Sequence, residues 1–264
     1  MFKIGVFINT HLNDHRSGNY RHGEKFAERF IDNYISMVEN YKGYTPEYEV
    51  TVHIMDTGST LKKFVDWIAD VDYVKHLKIP NTGGYIASMK YVMHTEPEIM
   101  DDFDYFLFHE DDSAIINGNK WDEDMIEQYK KLPNGGIMGQ KVRYINISKN
   151  GWNKTAPTTH ISDIYGITKI FRSQILDADY CFLDKRTIKR LSEIWYDPIK
   201  SRAAIELQRK MEEMDFTELI KQHEKNRQKY HVGREIELTL RLRHFGMDIL
   251  AYTGNKILYL ENWK

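Results

Sequence analysis

Short apolar runs alternating with stretches of helical spacing set the rhythm of this chain. Phe2 to Ile8 is apolar almost throughout and reads as a strand buried on both faces, ending in Asn9-Thr10-His11. A polar loop through Asn13, Asp14, Ser17 and Gly18 leads to a helix expected over about 23–41. Its Phe26, Phe30, Ile31, Tyr34, Ile35 and Val38 keep helical spacing. Glu49 to Met55 reads as a second strand, closing on Asp56-Thr57-Gly58-Ser59. A short helix follows over about 61–69, with Phe64, Val65 and Ile68 on one face, and then a third strand from Tyr73 to Ile79. Asn81-Thr82-Gly83-Gly84 opens a helix carrying Ile86, Met89, Tyr91 and Val92. The fourth strand, Phe103 to Phe108, runs through His109 into Glu110-Asp111-Asp112. This strand–helix alternation predicts an α/β fold, with a mostly parallel central sheet, right-handed crossovers and flanking helices.

The pattern loosens afterwards. A helix is expected over about 122–132 and a strand over 136–142. From Arg143 to Asp163 the chain is polar and irregular, which suits either a binding loop or a plain solvent-exposed excursion. Ile175 to Leu183 reads as a strand and Lys185 to Trp195 as a helix. Residues 201–230 alternate Lys and Arg with Glu, so exposed helices are expected there rather than a basic patch. Arg234 to Phe245 reads as a helix stopped by Gly246, and Ile249 to Tyr252 as a last strand.

Composition narrows the class. With 264 residues, 37 basic against 39 acidic side chains and a formal charge of −2, nothing drives the chain toward nucleic acid or an anionic membrane. The single cysteine, Cys181, excludes an intramolecular disulfide and a cysteine-based zinc site. No apolar run is long enough to span a bilayer, and Met1 to Ile8 lacks the form of a signal peptide. A cytoplasmic protein is the expectation.

Candidate chemistry gathers at the strand ends. Two carboxylates about 5 Å apart repel by roughly 3 kcal/mol at an effective dielectric near 20. Glu110, Asp111 and Asp112 therefore need either full solvation or a cation, and on this segment alone both readings stand. Oxygen ligands of this kind suit Mg²⁺ or Mn²⁺. In a parallel sheet the acids would share an edge with Thr10 and His11, with Asp56 and Gly58, and with Asn81, Gly83 and Gly84. Such an edge is where open α/β sheets hold nucleotides. Asp56 can accept from a base N–H and Thr10 can fix the same base. The glycines allow close approach, and the helix after Gly84 offers free N–H groups to anionic oxygens. Singly, each of these is also an ordinary turn.

Phe-Ile-Asn-Thr, Met-Asp-Thr-Gly-Ser, Asn-Thr-Gly-Gly and Phe-His-Glu-Asp-Asp, in that order, resemble a nucleotide-sugar-dependent glycosyltransferase of the Rossmann-like GT-A fold, and most of all family 2. The resemblance implies that Asp56 to Ser59 grips the base and that Asn81 to Gly84 lies along the donor. Glu110-Asp111-Asp112 matches the family's Asp-x-Asp metal motif. It implies Asp112 as the metal ligand, with Glu110 and Asp111 at sugar, ribose or metal-bound water, Glu110 being also a possible ligand. Tyr180 to Arg186 is similar to the strand and turn before the family's acceptor-side helix. Gly233 to Arg241 resembles the family's Glu-Asp-x-Asp-Leu-x-Leu-Arg helix start, which implies Glu235 as general base, with Glu237 as runner-up. Arg234 stands where the family has the first acid, and no histidine follows Gly246 to supply its late metal ligand.

The resemblance thus implies a single GT-A domain, with 1–142 as the donor-binding half and 143–264 as the acceptor-binding half. The implied reaction is metal-dependent, inverting transfer of a sugar from a nucleoside diphosphate, by analogy UDP, to an acceptor hydroxyl. The acceptor, whether glycan, lipid-linked glycan, protein or modified nucleic acid, stays open. Sugar-1-phosphate nucleotidyltransferases share the core, but they carry a Gly-rich basic loop where this chain has Asn9 to Asn13. A binding module without turnover is the third reading.

Overall fold

The computed structural model describes residues 1–12, 24–43, 48–80, 84–111, 113–115, 120–148, 151–153, 172–195, 238, 242, 245–254 and 257–259. Asn81, Gly83, Asp112, Glu235 and Glu237 lie outside them, as does the whole charged stretch at 201–230. The chain divides into two units. The first is Met1–Lys131, Asp179–Lys189 and Thr253–Lys264; the second is Leu132–Ala178 and Arg190–Tyr252.

The first unit begins β1 (Lys3–Thr10), α1 (Glu24–Gly43), β2 (Glu49–Asp56), α2 (Lys62–Asp70), β3 (Val74–Lys78), α3 (Gly84–His94). It continues with α4 (Ile99–Asp102), β4 (Tyr105–Glu110), β5 (Ser113–Ile115) and α5 (Trp121–Tyr129). The second unit adds β6 (Gly136–Ser148) and β7 (Gly151–Asn153). Two elements then run from one unit into the other, β8 (Arg172–Asp184) and α6 (Lys185–Ile194). The chain closes with β9 (Asp248–Ala251) in the second unit and β10 (Ile257–Tyr259) in the first.

In the first unit β1 lies between β2 and β4, β3 flanks β2, and all three pairings are parallel. Residues 180–184 of β8 pair antiparallel with β4, from His109↔Tyr180 to Tyr105↔Asp184. The strand order 3-2-1-4 confirms the α/β expectation of a mostly parallel sheet flanked by helices. Register fixes the faces. Thr10 pairs with Asp56, Ile8 with His109, and Phe7 with both His53 and Phe108. Because side chains alternate along a strand, Thr10, Asp56 and His109 share one face. Phe7, His53 and Phe108 share the other.

The first of these faces carries α1, whose Tyr34 and Tyr41 reach Thr10 and His109. The second carries α3, whose Ser88 accepts from Asn9, and the Phe103 ring next to α4. Gly5 makes room for that packing: a Cβ there would stand 2.6 Å from the Phe7 ring and 2.9 Å from the Phe103 ring.

In the second unit β6 pairs parallel with β9, and Gly136 allows the close approach. A Cβ at Gly136 would fall 2.0 Å from the Asp248 carbonyl oxygen. The core here includes Ile137, Met138, Leu191, Ile194 and Trp195, with Leu238 and Leu242 one helical turn apart. The polar stretch expected to be irregular from Arg143 is a strand in its first part, since β6 runs on to Ser148 and pairs antiparallel with β7. The reason is visible in Tyr144-Ile145-Asn146-Ile147, a period-two alternation with β-branched residues. Likewise β8 begins at Arg172, before the expected Ile175. Among the described residues no helix is long and apolar enough to cross a membrane.

Candidate functional site

The C-terminal ends of β1, β2, β3 and β4 form one edge of the sheet, and backbone hydrogen bonds tie that edge together. Asp56 starts the tie. Its Oδ1 accepts the Gly58 N–H at 3.1 Å and the Ser59 N–H at 2.7 Å, an Asx turn that Gly58 permits with φ +99°. Its Oδ2 lies 3.2 Å from His76 Nε2 on β3, and its carbonyl accepts the Ile79 N–H at 2.9 Å. The turn then grips the end of β1. Leu12 N–H donates to Ser59 Oγ at 3.0 Å, Thr57 N–H to the Thr10 carbonyl at 2.9 Å, and Thr60 N–H to the Leu12 carbonyl at 2.8 Å.

Between β1 and β4 the strand order reverses direction, and such switch points hold the ligands of open α/β sheets. One carboxylate spans it here. Asp111, 2% exposed, accepts the His11 N–H on Oδ2 at 2.9 Å. The His11 ring is half-buried, with Nδ1 3.1 Å from the Thr57 hydroxyl, which itself donates to the Thr10 carbonyl. Burial divides the neighbouring acids: Asp111 is turned inward while Glu110 is half-exposed at the edge.

Beneath the edge lies a polar layer against α1. Thr10 is fully buried; its hydroxyl donates to the Ile8 carbonyl at 3.1 Å and accepts from Tyr34 at 2.8 Å. Burial pushes the Tyr34 phenol well up, so it stays a neutral donor. His109 is also buried. Its Nδ1 lies 2.8 Å from the Glu110 carbonyl and its Nε2 3.1 Å from the Tyr41 hydroxyl. A carbonyl can only accept, so Nδ1 carries the proton and Nε2 accepts from Tyr41. Burial lowers the His109 pKa to about 4, which keeps the ring neutral.

The structure therefore brings together His11, Asp56, Gly58, Glu110 and Asp111 on one edge, with the Thr10 side chain buried beneath it. Gly84 opens α3 with φ +57°, and α3 follows β3, so its N-terminus faces the same edge. The first turn of a helix leaves N–H groups without intrahelical acceptors. Three contributors escaped sequence reasoning: His76, Tyr34 and Tyr41. His76 carried a usable signal, because parallel register with β2 places it two residues before the partner of Asp56.

Among the described residues no three His, Cys, Asp or Glu side chains converge on a metal-sized point, with Asp112 outside that set. The donor chemistry at the end of β4 suits a hard divalent cation, since Glu110, two residues before Asp112 in the sequence, is a half-exposed carboxylate. The arrangement offers a half-exposed carboxylate at the end of β4, the N-terminal turn of α3, and an Asx turn after β2 with open space beside Gly58.

No family model matches the chain, and no curated protein matches its sequence. Solved structures do match. One is a provisionally named nucleotide-diphospho-sugar transferase from Desulfovibrio desulfuricans G20, 8% identical, with a TM-score of 0.43. The match covers 95% of this chain and 80% of that one. A likeness so remote carries no weight for activity, and the fold rests on the strand order above.

Proposed function

We propose that this chain transfers a sugar from a nucleoside diphosphate donor, UDP-linked by analogy, to an acceptor hydroxyl, as GT-A enzymes of family 2 do. One observation carries the reading. The four segments that resemble the family's motifs follow the strands of a 3-2-1-4 parallel sheet, and those described end at its carboxyl edge. Singly each segment is an ordinary turn; their order along one sheet is what supports the reading.

In this reading the base lies against the Asp56–Ser59 turn, whose backbone is already fixed by the Asp56 carboxylate. The donor's anionic oxygens face the start of α3 at Gly84, with Asn81 and Gly83 alongside. Asp112, with Glu110, would hold Mn²⁺ or Mg²⁺, a Lewis acid that neutralises charge on a leaving diphosphate. Glu235, or Glu237 failing it, takes the proton of the acceptor hydroxyl, and attack opposite the leaving group inverts the anomeric carbon. General-base assistance of this kind contributes about 10²- to 10⁴-fold. A cytoplasmic setting is part of the proposal.

The test is turnover of a panel of nucleotide sugars with Mn²⁺, as hydrolysis and as transfer to simple hydroxyl acceptors. Metal-dependent release of nucleoside diphosphate is expected. Donor binding without turnover would overturn the enzyme reading, and release of pyrophosphate from a nucleoside triphosphate and a sugar phosphate would make the protein a nucleotidyltransferase. Glu235→Gln is expected to keep donor affinity and lose transfer; unchanged transfer would move the base to Glu237.

A further inference from the structure

His109 is a buried histidine placed immediately before the acidic run, and neither of its nitrogens points to the edge. An apolar side chain would fill the same space with no hydrogen bonds to satisfy, so the imidazole calls for a reason. Its two partners supply one. The pairing of β4 with β8 ends at His109 and that with β1 ends at Glu110, so the Glu110–Asp111 peptide lies just beyond the last paired residues. The His109 Nδ1–H holds the carbonyl of that peptide at 2.8 Å. Tyr41, 3% exposed on α1, in turn holds the ring by donating to Nε2 at 3.1 Å. Its own ring stands edge-on to the buried Trp121 of α5, with centroids 5.6 Å apart. A chain of contacts therefore runs from α5 through α1 to the peptide that leads into Asp111.

We infer that Tyr41 and His109 are positioning residues for the acidic turn: they fix the Glu110–Asp111 peptide plane and so the direction in which the chain enters that turn. The inference rests on the proposed transferase reading for its functional consequence, but the mechanical part stands on the geometry alone. A merely space-filling His109 would lower global stability when replaced and leave the turn as ordered as before. A positioning His109 governs the turn specifically.

The experiment follows backbone amide exchange at Asp111 and Ser113 in the wild type, Tyr41→Phe, His109→Leu and His109→Asn, with nucleotide-sugar turnover measured alongside. Tyr41→Phe removes a single hydroxyl and keeps the ring packing, so it provides the readout even where His109→Leu fails to fold. Exchange at the two amides is expected to rise at least tenfold in Tyr41→Phe and His109→Leu, with β1 amides unchanged. His109→Asn keeps a donor at the place of Nδ1 but offers Tyr41 no acceptor at the place of Nε2, so its protection should match that of Tyr41→Phe and exceed that of His109→Leu. In an active enzyme, kcat should fall about tenfold in the first two variants while the donor KM moves less than threefold. Wild-type exchange at the turn in Tyr41→Phe would overturn the inference. Faster exchange in a protein with no turnover at all would sustain the positioning role and sink the transferase reading instead.

Discussion

On the α3 face of the first unit's sheet, rings meet rings. Phe7 stacks on Phe108 at 4.8 Å and on His53 at 4.5 Å, and Phe106 lies parallel to Phe108 at 6.2 Å. On the α1 face the same strands end in hydroxyls, an imidazole and carboxylates, each with a hydrogen-bond partner. The strands are identical; only the side chains on alternate positions differ. Both faces bury apolar side chains, Ile4, Val6, Ile8 and Leu107 on the α1 face among them, but the α1 face also holds a particular edge geometry through these hydrogen bonds. Stability and site should therefore respond to different substitutions.

The sharpest contrast sets Phe7→Ala against Asp112→Ala. Loss of a fully buried phenylalanine from a stacked row costs about 3–5 kcal/mol, read as a lower denaturant midpoint. Asp112→Ala is expected to abolish nucleotide-sugar turnover, by roughly 10³-fold or more, with the midpoint almost unmoved. A large fall in stability for Asp112→Ala would break the separation. Next comes Asp111→Ala, which removes the acceptor of the His11 N–H at a buried position and should cost about 1–3 kcal/mol. Asp111→Asn keeps an acceptor oxygen and should recover most of that. Equal losses in the two would show that the His11 bond matters little.

The last contrast concerns His53, a buried ionisable ring on the α3 face, and is read as a slope against pH. His53 is 1% exposed, neither ring nitrogen finds a hydrogen-bonding side chain, and burial lowers its pKa to about 3. Below about pH 6.5 the unfolded chain takes up this proton and the folded protein does not until about pH 3. Stability is therefore fully present above pH 6.5 and declines as the pH falls through that window, by at most about 1.4 kcal/mol per pH unit from this group. His53→Phe should flatten the decline by one proton; an unchanged slope between pH 4 and 6 would show that the ring is not held neutral.

How much of this was legible in the sequence follows from what is local. The four parallel strands and their turns were readable because apolar runs and the Asp-Thr-Gly-Ser turn are local signals. The β6–β7 hairpin was readable too, but the polar composition of 143–153 outweighed its period-two alternation. The three-residue pair β5 and β10 is formed by segments about 140 residues apart, and no local pattern announces it. The edge residues were legible as types, yet not their division of labour. Strand alternation places Glu110 and Asp111 on opposite faces, but which face is covered is decided by α1 and α3. Tyr34 and Tyr41 belong to that tertiary layer and show only in the fold, whereas His76 was within reach of strand register.

A crystal structure with a nucleoside diphosphate and Mn²⁺ tests the central claim most directly. The diphosphate is expected at the carboxyl edge between β1 and β4, the base against Asp56–Ser59, and an anomalous manganese peak within ligand distance of Asp112. A nucleotide bound elsewhere at full occupancy, with no metal peak near Asp112 or Glu110, would contradict it.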